Sequence, residues 1–298
     1  MNYIFKGVAT ALTTPFYNGK IDFEQFEKKI DRQLKAKVDA LVFLGTTGES
    51  STIDRSERRK IIKFAKRLLK GKIPIIVGTG SNCTSTACEM TSEAKELGAD
   101  GALIVTPYYN LCEQHGLTLH YKEISSNCKF PFITYNVPKR TGVNVLPTTA
   151  NEILSYDYAM GIKEANGDVA HVESLFYETQ NAYPIYCGND NLTSLFLKHN
   201  CTGTISVASN IIPCKIKEFI SNFEIDYEKH NRDFNLFYDK IFTLLSSKIN
   251  PIPIKCLEEI LYDYKCQFRL PLNRPSNEYF EFLKSEISKL NLQKDELC

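Results

Sequence analysis

The first two thirds of the chain carry eight short apolar runs that are rich in β-branched residues. They occupy residues 7–15, 40–46, 74–78, 101–107, 131–137, 159–165, 184–188 and 203–208. Runs that are apolar on both faces are typical of parallel strands covered by helices. Their spacing of roughly 20–35 residues is what a strand, a loop and a returning helix require. We therefore predict a closed (β/α)8 TIM barrel. An open doubly wound sheet is disfavoured because no GxGxxG motif follows the first run.

Amphipathic helices are predicted between these runs. One apolar stripe defines the first helix: Phe23, Phe26, Ile30 and Leu34. The next opens at Asp54 and Glu57, which have capping-box spacing, and ends at Gly71. A third begins near Asn82 and stops at Gly98.

After about residue 213 the pattern is helical only. A short segment over 215–222 completes the barrel, and a long helix follows over 226–246. The sequence Asn250-Pro251-Ile252-Pro253 breaks it, a second helix runs over about 254–264, and a third carries a final apolar stripe. That stripe comprises Phe280, Leu283, Ile287 and Leu290. We predict a catalytic barrel over 1–224 and a C-terminal three-helix segment over 225–298 that packs on it.

Charge, apolar runs and cysteine spacing disfavour several classes of function. The 298 residues have a formal net charge of +1, so no single-sign field is available to hold a nucleic acid. No apolar run approaches the roughly 18 residues of a membrane span, and residues 1–7 lack signal-peptide features. The ten cysteines form no CxxC pair and have no histidine at zinc-finger spacing. We expect a cytoplasmic protein with reduced cysteines, no metal and no membrane partner.

Lys163 is the most informative candidate for chemistry. On a strand over 159–165 it shares a face with Ala159, Gly161 and Ala165, whose small side chains leave room around it. A desolvated lysine tends to lose its proton, and the neutral amine is a nucleophile that forms imines with carbonyls. The alternative is a lysine at a strand end that reaches solvent or pairs with a carboxylate.

Further polar groups follow the other predicted strands, at the end where TIM barrels place their active sites. The Gly-rich turn over 45–48 has the composition of a small anion site, or of a plain turn. Tyr135 lies on the strand next to that of the lysine and is a proton donor or a packing residue. Arg140 is a carboxylate ligand or a surface arginine. Of Tyr108 and Tyr109, one ring can be core, and the other can serve the site or a neighbouring subunit.

Five motifs in this order carry a family resemblance: Gly45-Thr46-Thr47-Gly48-Glu49, Thr106-Pro107-Tyr108-Tyr109-Asn110, Tyr135-Asn136-Val137-Pro138, Arg140-Thr141-Gly142 and Gly161-Ile162-Lys163-Glu164-Ala165. Together they resemble the dihydrodipicolinate synthase family, within the pyruvate-dependent class I aldolases that include N-acetylneuraminate lyase. The resemblance extends into the helical tail at 250–255 and 270–272.

The resemblance implies a reaction and roles. Lys163 would form a Schiff base with pyruvate, and Tyr135 would be the central acid–base group. Thr46 and Tyr109 would complete a proton relay, with Tyr109 entering a neighbouring subunit's site. The enzyme would condense pyruvate with L-aspartate 4-semialdehyde to 4-hydroxy-tetrahydrodipicolinate, for lysine and diaminopimelate biosynthesis. It would be a homotetramer, a dimer of dimers, with no cofactor beyond the covalent pyruvate imine.

Four further residues would bind substrate by the same resemblance. Thr47 would hold the pyruvate carboxylate, and Gly188 and Ile205 would line the pyruvate pocket through backbone groups. Arg140 would bind the carboxylate of aspartate semialdehyde. Arg140-Thr141-Gly142 favours the synthase, because sialic-acid lyases lack this triplet and tend to have Ser-Thr in place of Thr46-Thr47.

Three rival functions are open to such a chain. A sugar-acid aldolase would keep Lys163 and Tyr135 and change only the second substrate. A barrel that merely binds a keto acid would not need the complete set of hydroxyl groups that the motifs contain. A pyridoxal phosphate enzyme also uses lysine, but beyond the 45–48 turn no phosphate-binding cup is evident.

Inhibition by lysine is predicted to be weak or absent. Lysine-inhibited members of the family use a set of groups that Ser50, Asn82 and Tyr108 match here. Arg55 and Arg58 occupy two histidine positions of that set, and Thr86 occupies a glutamate position. The two arginines would repel the ammonium group of lysine, and the glutamate's counter-charge is lost.

Overall fold

Eight parallel strands form a closed barrel in the computed structural model, which describes residues 2–223, 232, 237–262 and 264–292. The barrel strands are β1 (Gly7–Ala11), β4 (Ala40–Phe43), β5 (Ile75–Gly78), β6 (Gly101–Val105), β7 (Phe132–Asn136), β8 (Ala159–Glu164), β9 (Ile185–Cys187) and β10 (Gly203–Ser206). A separate antiparallel pair consists of β2 (Phe16–Tyr17) and β3 (Lys20–Ile21). The barrel order is β1-β10-β9-β8-β7-β6-β5-β4. Each of the eight predicted runs contains one barrel strand, so the predicted TIM barrel is confirmed.

The first strand is shorter than its apolar run. It ends at Ala11, although the N–H of Leu12 still donates to the carbonyl of Val42 at 3.0 Å. Pro15, the last residue of the run, has no N–H to donate to a ladder.

Helices alternate with the strands and then form the C-terminal part. Their bounds are α1 (Phe23–Lys35), α2 (Arg55–Leu69), α3 (Thr84–Glu96), α4 (Gln114–Cys128), α5 (Pro138–Thr141), α6 (Pro147–Leu154), α7 (Val169–Thr179), α8 (Thr193–Lys198), α9 (Pro213–Ser221), α10 (Asp239–Ser246), α11 (Ile252–Tyr262) and α12 (Asn277–Ser288). Short 3-10 helices cover Ser50–Thr52, Asp190–Leu192 and Ala208–Asn210.

The predicted capping box at the start of α2 is present. The N–H of Glu57 donates to Asp54 Oδ1 at 2.9 Å, and the N–H of Asp54 donates to Glu57 Oε2 at 3.3 Å. These bonds satisfy N–H groups that have no acceptor inside the helix. Gly98 follows the C-terminal end of α3 and takes φ +87°, a conformation that suits glycine after a helix.

The C-terminal helices agree with the prediction in part. Residues 226–231 and 233–236 of the predicted helix over 226–246 lie outside the described residues, as does the predicted domain boundary at 224, which stays a prediction. Helix α11 begins two residues earlier than predicted, because Pro253 is tolerated in a first turn, where an N–H has no helical acceptor. On α12 the stripe residues Leu283 and Ile287 are buried.

The described residues divide into two compact units. The first comprises residues 2–6 and 59–205 and contains β5 to β9, with α3 against β6 and α6 against β8. The second comprises residues 7–58 and the described part of 206–292, where α9 packs on β1 and α11 on α12. Most candidate residues lie in the first unit, and the turn over 45–48 lies in the second.

The structure also bears on the predictions about membrane spans and about the cysteines. Within the described residues, none of the helices combines the length and the apolar character that crossing a membrane demands. Eight cysteines in this part of the chain are free, but Cys214 is disulfide-bonded. The expectation that all ten are reduced is therefore wrong for Cys214, because spacing along a sequence does not show which cysteines meet in a fold.

Candidate active site

Lys163 and Tyr135 face each other on neighbouring strands of the first unit. They are paired residues in the parallel ladder between β8 and β7. Both are buried, with 5% of Lys163 and 7% of Tyr135 exposed. The Nζ atom of Lys163 lies over the Tyr135 ring, 4.3 Å from its centroid. The predicted adjacency of amine and phenol is confirmed, and the alternative of a solvent-reaching lysine is wrong.

Gly188 adjoins the lysine side chain at the end of β9. A Cβ atom at this position would lie 3.0 Å from Lys163 Cε and 2.8 Å from the carbonyl oxygen of Glu164. The N–H of Gly188 donates to that same carbonyl at 2.7 Å. The close backbone approach requires glycine and keeps space beside the amine. Ile205, on β10, is fully buried.

Arg140 is presented by the short helix α5, directly after β7. Pro138 occupies the first position of this helix, which suits its fixed φ, and Gly142 ends it with φ +75°. The hydroxyl of Thr141 donates to the carbonyl of Val143 at 3.0 Å and holds the following loop. Arg140 itself is exposed.

Tyr108 and Tyr109 follow β6 and differ in exposure. Tyr109 is 89% exposed and has φ +76°, whereas Tyr108 is about half as exposed. The neighbouring Asn110 donates from Nδ2 to the carbonyl of Asn82 at 2.9 Å, which ties this loop to the loop between β5 and α3. A tyrosine ring held outward at this position is available to a second chain.

Thr46 and Thr47 lie in a tight turn after β4, in the second unit. The N–H groups of Gly48 and Ser50 donate to the carbonyl of Gly45, and that of Glu49 to the carbonyl of Thr46. The N–H groups of Thr46 and Thr47 take no part in these bonds. Thr47 is buried, and its Oγ1 accepts a bond of 3.0 Å from Asn250 Nδ2, so its own hydroxyl hydrogen points elsewhere.

Two contacts of this turn come from the C-terminal segment and were not predicted from the sequence. One is the amide of Asn250 on Thr47. The other is a fully buried ion pair between Lys255, on α11, and Glu49. Burial lowers the pKa of Lys255, while Glu49 acts to raise it. A lysine within the otherwise apolar start of α11 is the sequence feature that could have indicated a buried partner.

Comparisons with known proteins agree along the whole chain. Residues 4–290 match the model of the dihydrodipicolinate synthetase family. The chain is 43% identical over 289 residues to the 4-hydroxy-tetrahydrodipicolinate synthase of Alkaliphilus oremlandii, with 97% of this chain and 100% of that protein covered.

Two solved structures share the fold. The crystal structure of dihydrodipicolinate synthase from Thermotoga maritima has a TM-score of 0.94 and 38% identity, covering 98% of this chain and 100% of that one. The chloride-inhibited enzyme from Acinetobacter baumannii, complexed with pyruvate, has a TM-score of 0.91 and 34% identity, covering 97% and 100%. With a matching family model, relatives above 30% identity and the same barrel, this chain belongs to the dihydrodipicolinate synthetase family.

Proposed function

We propose that this chain is a 4-hydroxy-tetrahydrodipicolinate synthase, which condenses pyruvate with L-aspartate 4-semialdehyde. The observation that carries the proposal is the buried Lys163 amine, 4.3 Å from the centre of the Tyr135 ring on a paired strand. The relatives named for this activity and the pyruvate-bound structural neighbour support the same substrate. No external cofactor is required, because the protonated imine itself serves as the electron sink.

The first half of the reaction forms the enamine. The unprotonated Lys163 amine attacks the ketone carbon of pyruvate, and the resulting carbinolamine loses water to give a protonated imine. Removal of a methyl proton then moves an electron pair onto the imine nitrogen and produces the enamine. We assign the proton transfers to Tyr135, with the hydroxyl groups of Thr46 and Tyr109 as its relay. Thr47 and the N–H groups of its turn would hold the pyruvate carboxylate.

The second half forms the carbon–carbon bond. The enamine carbon attacks the aldehyde carbon of aspartate semialdehyde, and the aldehyde oxygen takes up a proton. The substrate's amino group then attacks the imine carbon, which releases Lys163 and closes the ring. Arg140 is exposed on α5, and its planar guanidinium can bind the distal carboxylate of the aldehyde in a bidentate manner. Gly188 and Ile205 would line the pyruvate pocket through their backbone groups.

Borohydride trapping tests the covalent step. Protein incubated with pyruvate and sodium borohydride should gain one reduced pyruvyl group, located on Lys163 by peptide mass spectrometry. Lys163→Ala should lose both the adduct and the turnover of aspartate semialdehyde. Lys122→Ala, which removes an exposed lysine of α4, is the matched control and should keep both. A Lys163→Ala protein with full activity refutes the proposal, and turnover of sialic acid in place of the semialdehyde would assign the rival aldolase function.

A homotetramer built from dimers is part of the proposal, with Tyr109 shared between two subunits. The observation that supports it is that Tyr109, which the resemblance assigns to the proton relay, is 89% exposed. A relay hydroxyl must be withdrawn from bulk water to transfer protons in a defined direction, and a second chain can supply that cover. Action in the cytoplasm and weak inhibition by lysine stay predictions.

A further inference from the structure

A buried polar network lies behind the Lys163–Tyr135 pair. Asn136 follows Tyr135 on β7 and Glu164 follows Lys163 on β8, and these two residues form the next pair of the same ladder. Because consecutive strand residues point to opposite faces, the network lies on the outer face of the barrel wall whose inner face carries the amine and the phenol. Both side chains are fully buried, and Asn136 Nδ2 lies 3.1 and 2.9 Å from the two carboxyl oxygens of Glu164.

Every polar atom of this network has a complementary partner. Glu164 also accepts from the N–H of Asn166 at 2.5 Å and from His171 Nε2 at 3.3 Å. Asn144 Oδ1 accepts from the amides of Asn136 and Asn166 at 2.9 and 3.1 Å. Asn144 Nδ2 lies 3.4 Å from His171 Nδ1, so the tautomer with hydrogen on Nε2 satisfies both ends of the imidazole.

The network also reaches the segments that follow the two strands. Asn136 Oδ1 accepts from the N–H of Val145 at 3.1 Å, in the loop after α5. Asn166 Oδ1 accepts from the N–H of Asp168, the residue that caps α7. One set of hydrogen bonds thus joins β7, β8, the loop beyond the Arg140 helix and the start of α7. Fully satisfied networks of this kind make a buried region rigid.

The chemistry of this position favours a positioning role over simple packing. Among the residues that the structure describes, the groups that bind the Glu164 carboxyl are an amide, a peptide N–H and an imidazole, without a lysine or an arginine. Burying a carboxyl group in such surroundings is costly, and an apolar side chain would fill the space between sheet and helices at lower cost.

We propose that Glu164 and Asn136 are positioning residues that hold Lys163 against Tyr135, an inference that rests on the proposed function. The double contact between them fixes the register and spacing of β7 and β8 at the pair directly next to the reacting one. Rotation or sliding of β8 that moved the amine would break the bonds of Glu164. Active groups must be held within about 0.5 Å of productive geometry, and such support comes from the side chains behind them.

The test compares the rate of pyruvate imine formation, by borohydride quench, with steady-state constants and melting temperature. Glu164→Ala is expected to slow imine formation by about 10- to 100-fold, the loss that a displacement near 1 Å produces. The KM for the aldehyde should change by no more than about threefold, since Arg140 is not moved. Glu164→Gln should restore most of the rate, because its oxygen still accepts from Asn136 and Asn166.

Glu93→Ala is the matched control. Glu93 is also a buried carboxyl group of the first unit, bonded to Arg59 on α2, and it lies on α3 away from the reacting pair. Its loss should lower the melting temperature and leave imine formation by the folded protein unchanged. In the double variant Glu164→Ala/Asn136→Ala the rate loss should be smaller than the product of the single losses, because both residues act through one contact.

The outcomes separate the two proposals. Wild-type protein without an adduct on Lys163 overturns the proposed function and the positioning role with it. If the wild-type protein forms the borohydride adduct and Glu164→Ala forms it equally fast, the positioning role alone is overturned. If Glu164→Ala does not fold, Asn144→Ala removes a half-buried member of the network and should slow imine formation by about 3- to 10-fold. An unchanged rate in that folded variant also overturns the positioning role.

Discussion

Replacing Lys255 by methionine should destabilise this protein strongly, although the residue touches no substrate in the proposed reaction. Its ammonium group is fully buried and uses all three of its donors. It donates to the carboxylate of Glu49, to the carbonyl of Thr14 at 3.0 Å and to the carbonyl of Gln267 at 2.6 Å. The ring centroids of Phe16 and Phe268 lie 4.5 and 4.8 Å from Nζ.

The magnitude follows from what the substitution leaves behind. Methionine fills much of the same volume and keeps contact with the two rings, so little is lost in packing. Glu49, however, remains buried without its counter-charge. Removing one partner of a buried ion pair costs about 3–5 kcal/mol of the free energy of unfolding. Adding Glu49→Gln removes the stranded charge, and a coupling of about 0.5–3 kcal/mol between the two substitutions is expected.

Urea denaturation followed by circular dichroism, at one fixed protein concentration, measures these free energies. Lys289→Met is the control, because Lys289 forms an exposed ion pair with Glu286, and such pairs contribute about 0–1 kcal/mol. The reasoning is refuted if Lys255→Met unfolds within about 1 kcal/mol of the wild type, well below the cost of a stranded buried charge. It is equally refuted if the loss in free energy of unfolding in the double variant equals the sum of the losses in the two single variants.

Four further predictions concern pH, substrate binding, assembly and regulation. Burial lowers the pKa of His120 from 6.5 to about 4, so the unfolded chain binds a proton that the folded one does not. The free energy of unfolding should therefore fall by about 3 kcal/mol as the pH drops from 6.5 to 4, and His120→Gln should flatten this slope in urea titrations. Asn250→Ala should raise the KM for pyruvate about tenfold with a smaller change in kcat, because the hydroxyl of Thr47 loses its orienting donor. Mixing inactive Tyr109→Ala and Lys163→Ala proteins should restore activity if the tyrosine serves the partner's site. Lysine titrated into the assay should inhibit weakly or not at all.

Each of these four has a contradicting result. Parallel pH profiles of stability for wild type and His120→Gln would assign the slope to other groups. An unchanged KM for pyruvate in Asn250→Ala would mean that Thr47 does not depend on this amide. Mixed proteins that stay inactive, although they exchange subunits, would place Tyr109 in its own chain's site. Strong inhibition at sub-millimolar lysine would show that the arginines tolerate the ligand.

Local features of the fold were predictable because their causes lie within a few residues of each other. The eight apolar runs locate the eight barrel strands, and the spacing of Asp54 and Glu57 predicts the cap of α2. The adjacency of Lys163 and Tyr135 could also be predicted, because consecutive strands of a (β/α)8 barrel pair with each other.

Contacts between distant segments were not predictable in the same way. Asn250 and Thr47 are 203 residues apart, and Lys255 and Glu49 are 206 residues apart. Periodicity shows which face of an element is apolar, but it does not show which polar side chain from another element will meet it. The disulfide at Cys214 and the exposure of Tyr109 belong to this class as well.

The amino-acid sequence by itself determined the order and type of the barrel elements and singled out Lys163 as the candidate nucleophile, since both depend on alternation along short segments. Only the tertiary structure decided which groups surround the neighbouring Glu164. Glu164 directly follows Lys163 in the sequence, yet the side chains that bind it, Asn136 and His171, come from two other segments. Their convergence depends on strand register and helix packing, which exist only once the chain has folded.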